Sequence, residues 1–153
     1  MTTTTYSPIR LGPLEVRYLL DAEDTGGNAT VFETRVPTGA KVPAAHSHDG
    51  FEEMVYGLEG MLTFTIEGCV QEIRPGEAAF IERGQIHKFE NLGDADAAFL
   101  SVATPGVFRP AYFHDVAAVI GAAAGGPPDM AALFAVMQRH GLTPAVPAPT
   151  VRA

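Results

Sequence analysis

Two histidines separated by a single residue, His46 and His48, are the first feature of the sequence that indicates chemistry. In an extended segment, side chains at positions i and i+2 lie on the same face, so both imidazoles can point at one ion. Glu53 follows on the C-terminal side, and His87 comes on a later predicted strand. Three imidazoles and one carboxylate suit a divalent transition metal. The candidate metal ligands are therefore His46, His48, Glu53 and His87.

Other polar side chains have simpler interpretations than a place in this site. Glu52 offers an alternative register to Glu53, but it points to the opposite face if the segment is extended. His114 and His140 fall in the C-terminal part of the sequence, where a surface position or a helix end explains them. Cys69 stands beside a predicted turn and is interpreted as an inert small residue.

Aromatic residues on or next to the predicted strands are candidates for lining a substrate pocket around the metal. At strand positions such residues also occur in the core or at interfaces, so both interpretations stay open. The candidate substrate-binding residues are Phe51, Tyr56, Phe89 and Phe99.

The elements that position these residues follow from short apolar runs that alternate with Gly, Pro, Asn and Asp up to about residue 105. The connections are too short for crossover helices, so the predicted strands must pair antiparallel in a sandwich or barrel. The predicted strands are Leu14–Leu20, Thr30–Val36, Met54–Leu58, Met61–Ile66, Cys69–Ile73, Ala78–Ile81, His87–Asn91 and Ala97–Ala103. Turns are predicted at Gly26-Gly27, Pro37-Thr38-Gly39, Glu67-Gly68 and Pro75-Gly76.

Ala-rich segments with helical spacing follow residue 105. Asp115 is predicted to cap a short helix that ends near Ala124. Asp129 is predicted to cap an amphipathic helix that Gly141 closes. The apolar face of this second helix consists of Met130, Leu133, Phe134 and Met137. Residues 144–153 contain three prolines and are predicted to form an extended tail.

Composition and charge exclude several classes of partner. The 153 residues fit one compact domain, and 46% hydrophobic residues allow a sizeable core. A formal net charge of −8 without a basic cluster argues against nucleic acids and anionic membrane surfaces. With one cysteine no internal disulfide or thiolate zinc site can form. Since no signal peptide is recognised either, we expect a cytoplasmic protein. With nucleic acids and membrane surfaces disfavoured by the charge, we expect a small-molecule substrate.

Around the candidate ligands the sequence resembles the cupins in two linked motifs. The first motif has H-x-H, four residues, Glu, six residues and Gly, and its matches are His46, His48, Glu53 and Gly60. The second motif is G-x5-P-x-G-x2-H-x3-N, and its matches are Gly76, Gly84, His87 and Asn91. Residues 61–75 separate the two motifs, which is typical of short microbial members.

The sequence departs from these motifs at two positions. Glu82 occupies the place of the proline, and it is interpreted as a solvated strand residue. Six residues, rather than five, separate Gly39 from His46. Neither departure involves a candidate ligand.

The resemblance covers about residues 25–105 and implies an all-β antiparallel jelly-roll barrel with a metal inside, bound by the four candidate ligands. We expect residues 1–105 to form the barrel and residues 106–153 to form a helical extension and tail packed on it. One divalent ion per chain is expected, which can be Fe, Mn, Ni, Co or Zn because imidazole and carboxylate ligands suit all of these.

The resemblance to quercetinase-like single-domain cupins predicts a mononuclear-metal dioxygenase that acts on a small oxygenated organic molecule. Glu53 is then the candidate catalytic residue, since it can stay ligated or swing away to accept a substrate proton. An isomerase, decarboxylase or cyclase with the same metal is one alternative, and a non-enzymatic protein that binds a small molecule is another.

We also expect a homodimer, because jelly-roll sheets have edges that a second chain can cover. The arm Pro13–Leu20 is predicted to pair with the sheet of the neighbouring chain. This pairing would bury Leu14, Val16 and Tyr18 between the two chains.

Overall fold

The computed structural model describes residues 5–145, and this part of the chain contains eleven β-strands, two α-helices and one short 3-10 helix. The strands are β1 (Ile9–Leu11), β2 (Leu14–Leu20), β3 (Thr30–Val36), β4 (His46–His48), β5 (Glu52–Glu59), β6 (Leu62–Ile66), β7 (Cys69–Ile73), β8 (Ala78–Ile81), β9 (His87–Glu90), β10 (Ala97–Thr104) and β11 (Leu142–Pro144). The helices are α1 (Pro110–Ala122) and α2 (Met130–Arg139), and the 3-10 helix is Ala22–Thr25.

The strands form two antiparallel sheets around one hydrophobic core. The larger sheet has the order β1-β2-β3-β10-β5-β8, and the smaller sheet has the order β11-β4-β9-β6-β7. Neighbouring strands are often distant in sequence, since β10 lies between β3 and β5. This arrangement confirms the expected jelly-roll barrel.

Alternating burial along β2, β3 and β5 turns one face of the larger sheet toward the core. In β3 the side chains of Thr30, Phe32, Thr34 and Val36 are buried, while those between them are more exposed. Tyr18 of β2 stacks on Phe32 with ring centroids 5.0 Å apart. The period of two therefore gives the barrel an apolar interior, and any polar side chain on that face lies inside it.

The hairpin between β6 and β7 confirms the predicted Glu67-Gly68 turn. Both residues have positive φ, 49° and 78°, as a two-residue turn of type I′ requires. Because Ile66 and Cys69 are direct partners across this turn, it also fixes the register of the hairpin.

Most predicted strands agree closely with the structure. The bounds of β2, β3, β7 and β8 are as predicted, and those of β5, β6, β9 and β10 differ by one or two residues at an end. The additional strands are β1, β4 and β11, each of three residues.

The predicted role of the Pro13–Leu20 arm is wrong. Its strand β2 lies between β1 and β3 in the sheet of its own chain, so neither edge of β2 is available to a neighbouring chain. Leu14, Val16 and Tyr18 are buried in the core of the same barrel.

The first helix begins earlier than predicted. It starts at Pro110, a residue favoured at the first helical position because no hydrogen bond from its nitrogen is needed, and Arg109 is the N-cap. The predicted capping by Asp115 is therefore wrong, since this residue lies inside α1. Its carboxylate instead lies 2.7 Å from His140 Nε2 and 3.2 Å from an Arg139 nitrogen, and so ties α1 to the end of α2.

The caps of the second helix are as predicted, but its predicted apolar face is only partly buried. Val136 and Met137 are the buried residues, whereas Met130, the first residue of the helix, is 46% exposed. Asp129 accepts a hydrogen bond from the Ala132 backbone N–H, and Gly141 follows the helix with a φ of 80°. The segment predicted as a tail begins with Pro144 in β11, which pairs with β4, and residues 146–153 of that prediction lie outside the described residues. Within residues 5–145, neither helix has the length and apolar character needed to cross a membrane.

Candidate metal centre

The three candidate histidines meet in the barrel interior. His46 and His48 lie on β4, and His87 opens β9, where it is the direct strand partner of His46. Their ring centroids are 4.4, 4.7 and 5.2 Å apart, and one nitrogen of each ring lies within 4.8 Å of a nitrogen of the other two. Three nitrogens at this separation can bind one ion.

Backbone carbonyls set the orientation of two of the rings. His46 Nδ1 lies 2.8 Å from the carbonyl oxygen of Ala44, and His87 Nδ1 lies 2.9 Å from that of Gln85. Because a carbonyl oxygen can only accept, each Nδ1 carries the proton and donates it. Each Nε2 therefore keeps a free lone pair, as a metal ligand requires.

His48 is the most deeply enclosed of the three. Its side chain is 0% exposed and stacks on Phe51, with ring centroids 4.2 Å apart and an interplanar angle of 18°. Among the described residues neither ring nitrogen of His48 has a hydrogen-bond partner. A buried polar atom without a partner costs about 1–3 kcal/mol, so this position is unfavourable for an imidazole that binds nothing. A divalent metal ion fits here, since it binds the lone pair that the protein leaves unused.

Burial keeps all three imidazoles neutral at physiological pH. Loss of solvation, followed by repulsion from the neighbouring imidazoles, lowers the pKa of His48 to about 2. Loss of solvation, followed by repulsion from His87, lowers the pKa of His46 to about 4. Burial also lowers the pKa of His87. Since only a neutral imidazole binds a metal, these histidines are in the required state over a wide pH range.

Glu53 approaches the histidines from the opposite sheet. It lies on β5, is 7% exposed, and its Oε2 is 3.6 Å from Nε2 of His48. It is outside the group of mutually close donor atoms, which consists of the three histidines. Burial raises the pKa of Glu53 to about 7, an effect that the Ser101 hydroxyl partly opposes. The register alternative Glu52 accepts a 2.8 Å hydrogen bond from Arg83 at the surface instead.

A cavity of about 50 Å³ adjoins the histidines and Glu53. At about 10–15 Å³ for each water, it has room for only a few water molecules, so a ligand that fills it contacts several walls. Two hydroxyl side chains, Thr34 and Tyr112, also line it, and no Lys or Arg is among the described lining residues. The aromatic lining residues are Phe32, Phe64, Phe89, Phe99, Phe108 and Phe113.

The four aromatic residues proposed from the sequence occupy three different environments. Phe89 and Phe99 line the cavity, with ring centroids 5.1 Å apart. Phe51 is buried behind His48 and supports that ring. Tyr56 lies outside the cavity lining and is 38% exposed, because its position on β5 has the opposite parity to that of Glu53.

Part of the cavity wall comes from the segment after residue 105, which the sequence analysis did not connect with the site. Phe108, Tyr112 and Phe113 close the cavity beside His48. Their ring centroids are 5.0–5.2 Å apart. The i, i+4 spacing of Phe108 and Tyr112 at a helix start is the one local signal, and it does not indicate which surface the rings cover.

Comparison with known proteins gives matches across the barrel. The Cupin_2 family model, described as a cupin domain, matches residues 32–103. An oxalate-binding protein of Thermotoga maritima is 34% identical over 92 residues, which are 60% of this chain and 75% of that protein. Quercetin 2,3-dioxygenase of Bacillus subtilis is 26% identical over 61% of this chain but only 27% of that enzyme. The structure of the polyketide cyclase RemF from Streptomyces resistomycificus superposes with a TM-score of 0.57 and 30% identity, and covers 72% of this chain and 80% of that one.

Proposed function

The chain belongs to the cupin family, and from this premise we propose that it is a metal-dependent enzyme acting on a small, largely apolar, oxygenated organic molecule. The observation that carries the proposal is His48, a fully buried imidazole without a hydrogen-bond partner among the described residues. The proposed metal ligands are His46, His48, His87 and, when it moves inward, Glu53. One Fe, Mn, Ni, Co or Zn ion per chain is proposed.

A divalent ion in this place supplies Lewis acidity, which polarises a substrate oxygen. Glu53 is the proposed proton acceptor. Its carboxyl faces the histidines from the opposite sheet, so a substrate held near them has this group within reach. In the metal-free site, burial raises the pKa of Glu53 to about 7, which makes this carboxylate a stronger proton acceptor than an exposed one.

The cavity walls support a substrate without strong negative charge. Its lining is mostly aromatic and aliphatic, and the described lining residues include no Lys or Arg to neutralise a second carboxylate. A dicarboxylate such as oxalate would have only the metal to balance two charges. We therefore favour a molecule with a hydroxyl or enol next to a carbonyl over the ligand named for the oxalate-binding relative.

Among reactions that begin with loss of a proton, we favour a redox-neutral one of the cyclase or isomerase type. The similarity to the polyketide cyclase RemF supports this choice, since it extends over more of both chains than the similarity to quercetin 2,3-dioxygenase. The dioxygenase is the second candidate because the dioxygenase relative carries that activity in its name. Oxygen uptake with a set of catechols, flavonols and β-diketones separates the two, since only the dioxygenase consumes O₂.

The metal part of the proposal is tested by metal analysis of the protein purified without added metal. We expect about one transition-metal ion per chain, and strong weakening of binding in His48→Ala because one of the chelating ligands is lost. His140→Ala is the matched control, since His140 is not among the residues that line the cavity and its Nε2 contacts Asp115 instead of the other histidines. Stoichiometric metal in His48→Ala would contradict the ligand assignment.

The role of Glu53 is tested by Glu53→Gln once the screen has given a substrate. An amide oxygen still binds metal weakly but cannot accept a proton, so we expect retained metal and loss of turnover. Glu52→Gln is the control, because Glu52 points to the surface. Turnover at the native rate in Glu53→Gln would show that this carboxylate has no chemical role.

A further inference from the structure

Tyr112 brings a hydroxyl group to the cavity from outside the part of the chain that matches the cupin family. It lies in the first turn of α1, beyond residue 103, where the family match ends. The side chain is 5% exposed and lines the same cavity as His48 and Glu53. Tyr112 is thus placed to contact whatever occupies that cavity.

The ring of Tyr112 is held from several sides. Phe108 and Phe113 contact it with ring centroids at 5.1 and 5.0 Å, and His140 lies edge-on at 5.6 Å. Because these contacts restrict both side-chain torsions, the hydroxyl occupies a defined position. A group fixed in this way can bind a ligand with little loss of side-chain entropy.

The hydroxyl of Tyr112 has no hydrogen-bond partner within residues 5–145, unlike the other buried tyrosine. Tyr18 donates to the carbonyl oxygen of Phe108 at 2.7 Å. Buried tyrosine hydroxyls normally have such a partner, since an unpaired one costs free energy. The Tyr112 hydroxyl is therefore available to a ligand in the cavity that this residue lines.

Charge indicates the kind of partner. Burial, followed by the field of Glu53, raises the pKa of Tyr112 far above neutrality, so the phenol stays protonated and acts as a donor. With no described Lys or Arg in the lining, the cavity offers hydroxyl donors rather than fixed positive charge. An uncharged ligand with acceptor oxygens matches this lining better than a dianion.

We propose that Tyr112 is a substrate-binding residue whose hydroxyl donates a hydrogen bond to an oxygen of an uncharged ligand that also binds the metal. The ligand class is a molecule with a hydroxyl or enol oxygen next to a carbonyl. This inference rests on the proposed function, because it requires a metal at the three histidines.

Two small chelators of similar size, one uncharged and one doubly negative, test the proposal. Acetohydroxamic acid is uncharged at neutral pH and presents a hydroxyl next to a carbonyl, whereas oxalate is a dianion. Each is titrated into the Co(II)-loaded protein, and the visible absorption of cobalt gives the Kd. We expect acetohydroxamic acid to bind at least tenfold more tightly than oxalate.

Tyr112→Phe removes one oxygen atom that has no hydrogen-bond partner among the described residues, so the fold and the cobalt affinity should stay intact. We expect its Kd for acetohydroxamic acid to rise about three- to tenfold, as loss of one hydrogen bond predicts, with less than a twofold change for oxalate. Tyr56→Phe, at the exposed tyrosine on β5, is the matched control and should change neither Kd. The chain has no Trp and four Tyr, so ultraviolet difference spectra of the native protein report a ligand at a phenol independently of the variants.

Each outcome decides one part of the proposal. Failure to bind cobalt would contradict the proposed function itself, and the inference with it. Cobalt binding with oxalate preferred, or with neither chelator bound, would overturn the ligand class. An unchanged Kd for acetohydroxamic acid in Tyr112→Phe, together with no tyrosine difference spectrum in the native protein, would overturn the role of Tyr112.

Discussion

His48→Phe is expected to raise the free energy of unfolding of the metal-free protein. Two buried nitrogens without partners among the described residues cost about 1–3 kcal/mol each, and phenylalanine has neither. The new ring would stack on Phe51 in place of the imidazole, and its larger volume would extend toward the adjoining cavity. Tighter packing costs about 1–3 kcal/mol in return, so the mid-range values leave a net gain of about 2 kcal/mol at neutral pH. The same variant is expected to lose the metal.

The gain should grow as the pH falls. The pKa of His48 is about 2 in the folded protein and about 6.5 in an unfolded chain, so below pH 6.5 the unfolded state takes up a proton that the folded state does not. Stability therefore decreases from pH 6.5 downward, by about 1.4 kcal/mol per pH unit for this one group. The raised pKa of Glu53 has the opposite effect, since protonation of Glu53 increases the stability of the folded protein as the pH falls from 7 to 4.5. Because Glu53 is present in both the native protein and the variant, its contribution cancels when their stabilities are compared. At pH 5 we expect about 2 kcal/mol more difference between variant and native protein than at pH 7.5.

Urea unfolding followed by circular dichroism, with a chelator present, measures both effects at pH 7.5 and pH 5. His140→Phe is the matched control, since His140 Nε2 has a partner 2.7 Å away in Asp115, and this variant should lose stability at neutral pH. The reasoning would be refuted if His48→Phe lowered the free energy of unfolding at pH 7.5 by more than about 1 kcal/mol, which is the typical cost of a lost hydrogen bond. It would mean that the imidazole stabilises the core rather than being kept there for a ligand.

Three further outcomes are expected. A chelator should lower the Tm of the metal-loaded protein while the β-rich circular dichroism persists, because the core encloses many apolar side chains without the ion; complete unfolding would instead show a structural metal. Gly57→Ala should lower the Tm, because a Cβ there would collide with the carbonyl oxygen of Arg74, whereas Gly121→Ala, with open space around it in α1, should raise stability by about 1 kcal/mol. We still predict a homodimer, now with an interface formed by the exposed apolar side chains of Tyr56, Leu58 and Phe80 on β5 and β8 rather than by the β2 arm. Light scattering that gives a 16 kDa particle at micromolar concentration would contradict this prediction.

The longer strands could be predicted because their residues repeat with period two between glycine and proline turns. Thr30–Val36 is an example, since its buried residues alternate and turn residues bound it. Cys69–Ile73 does not alternate and could be predicted from its bounding turns alone. The short strands β4 and β11 have no such pattern, because each contains only three residues and forms through pairing with a distant segment. The start of α1 at Pro110 was missed for a different reason, since Asp115 is a favourable cap residue by type but is used for a contact with α2.

The candidate ligands could be identified from the sequence because their spacing follows the geometry of a strand. The outward direction of Tyr56 could also have been predicted, because side chains alternate along a strand and Tyr56 falls on the face opposite to Glu53. The wall formed by Phe108, Tyr112 and Phe113 was not, because contacts between a C-terminal helix and a barrel leave no local pattern. Only the folded chain brings these rings beside His48.

The pairing of β11 with β4 has a consequence for the order of events during synthesis. The ligand strand β4 shares one residue pair with β9 but three with β11, and β11 begins at Leu142, well after the last candidate ligand, His87. A nascent chain that has already emerged past His87 therefore holds every candidate ligand, yet its ligand strand lacks support along one edge. We expect such a chain to bind metal more weakly than one in which β11 has paired with β4, so that the ion is acquired after this pairing rather than as soon as the ligands have emerged.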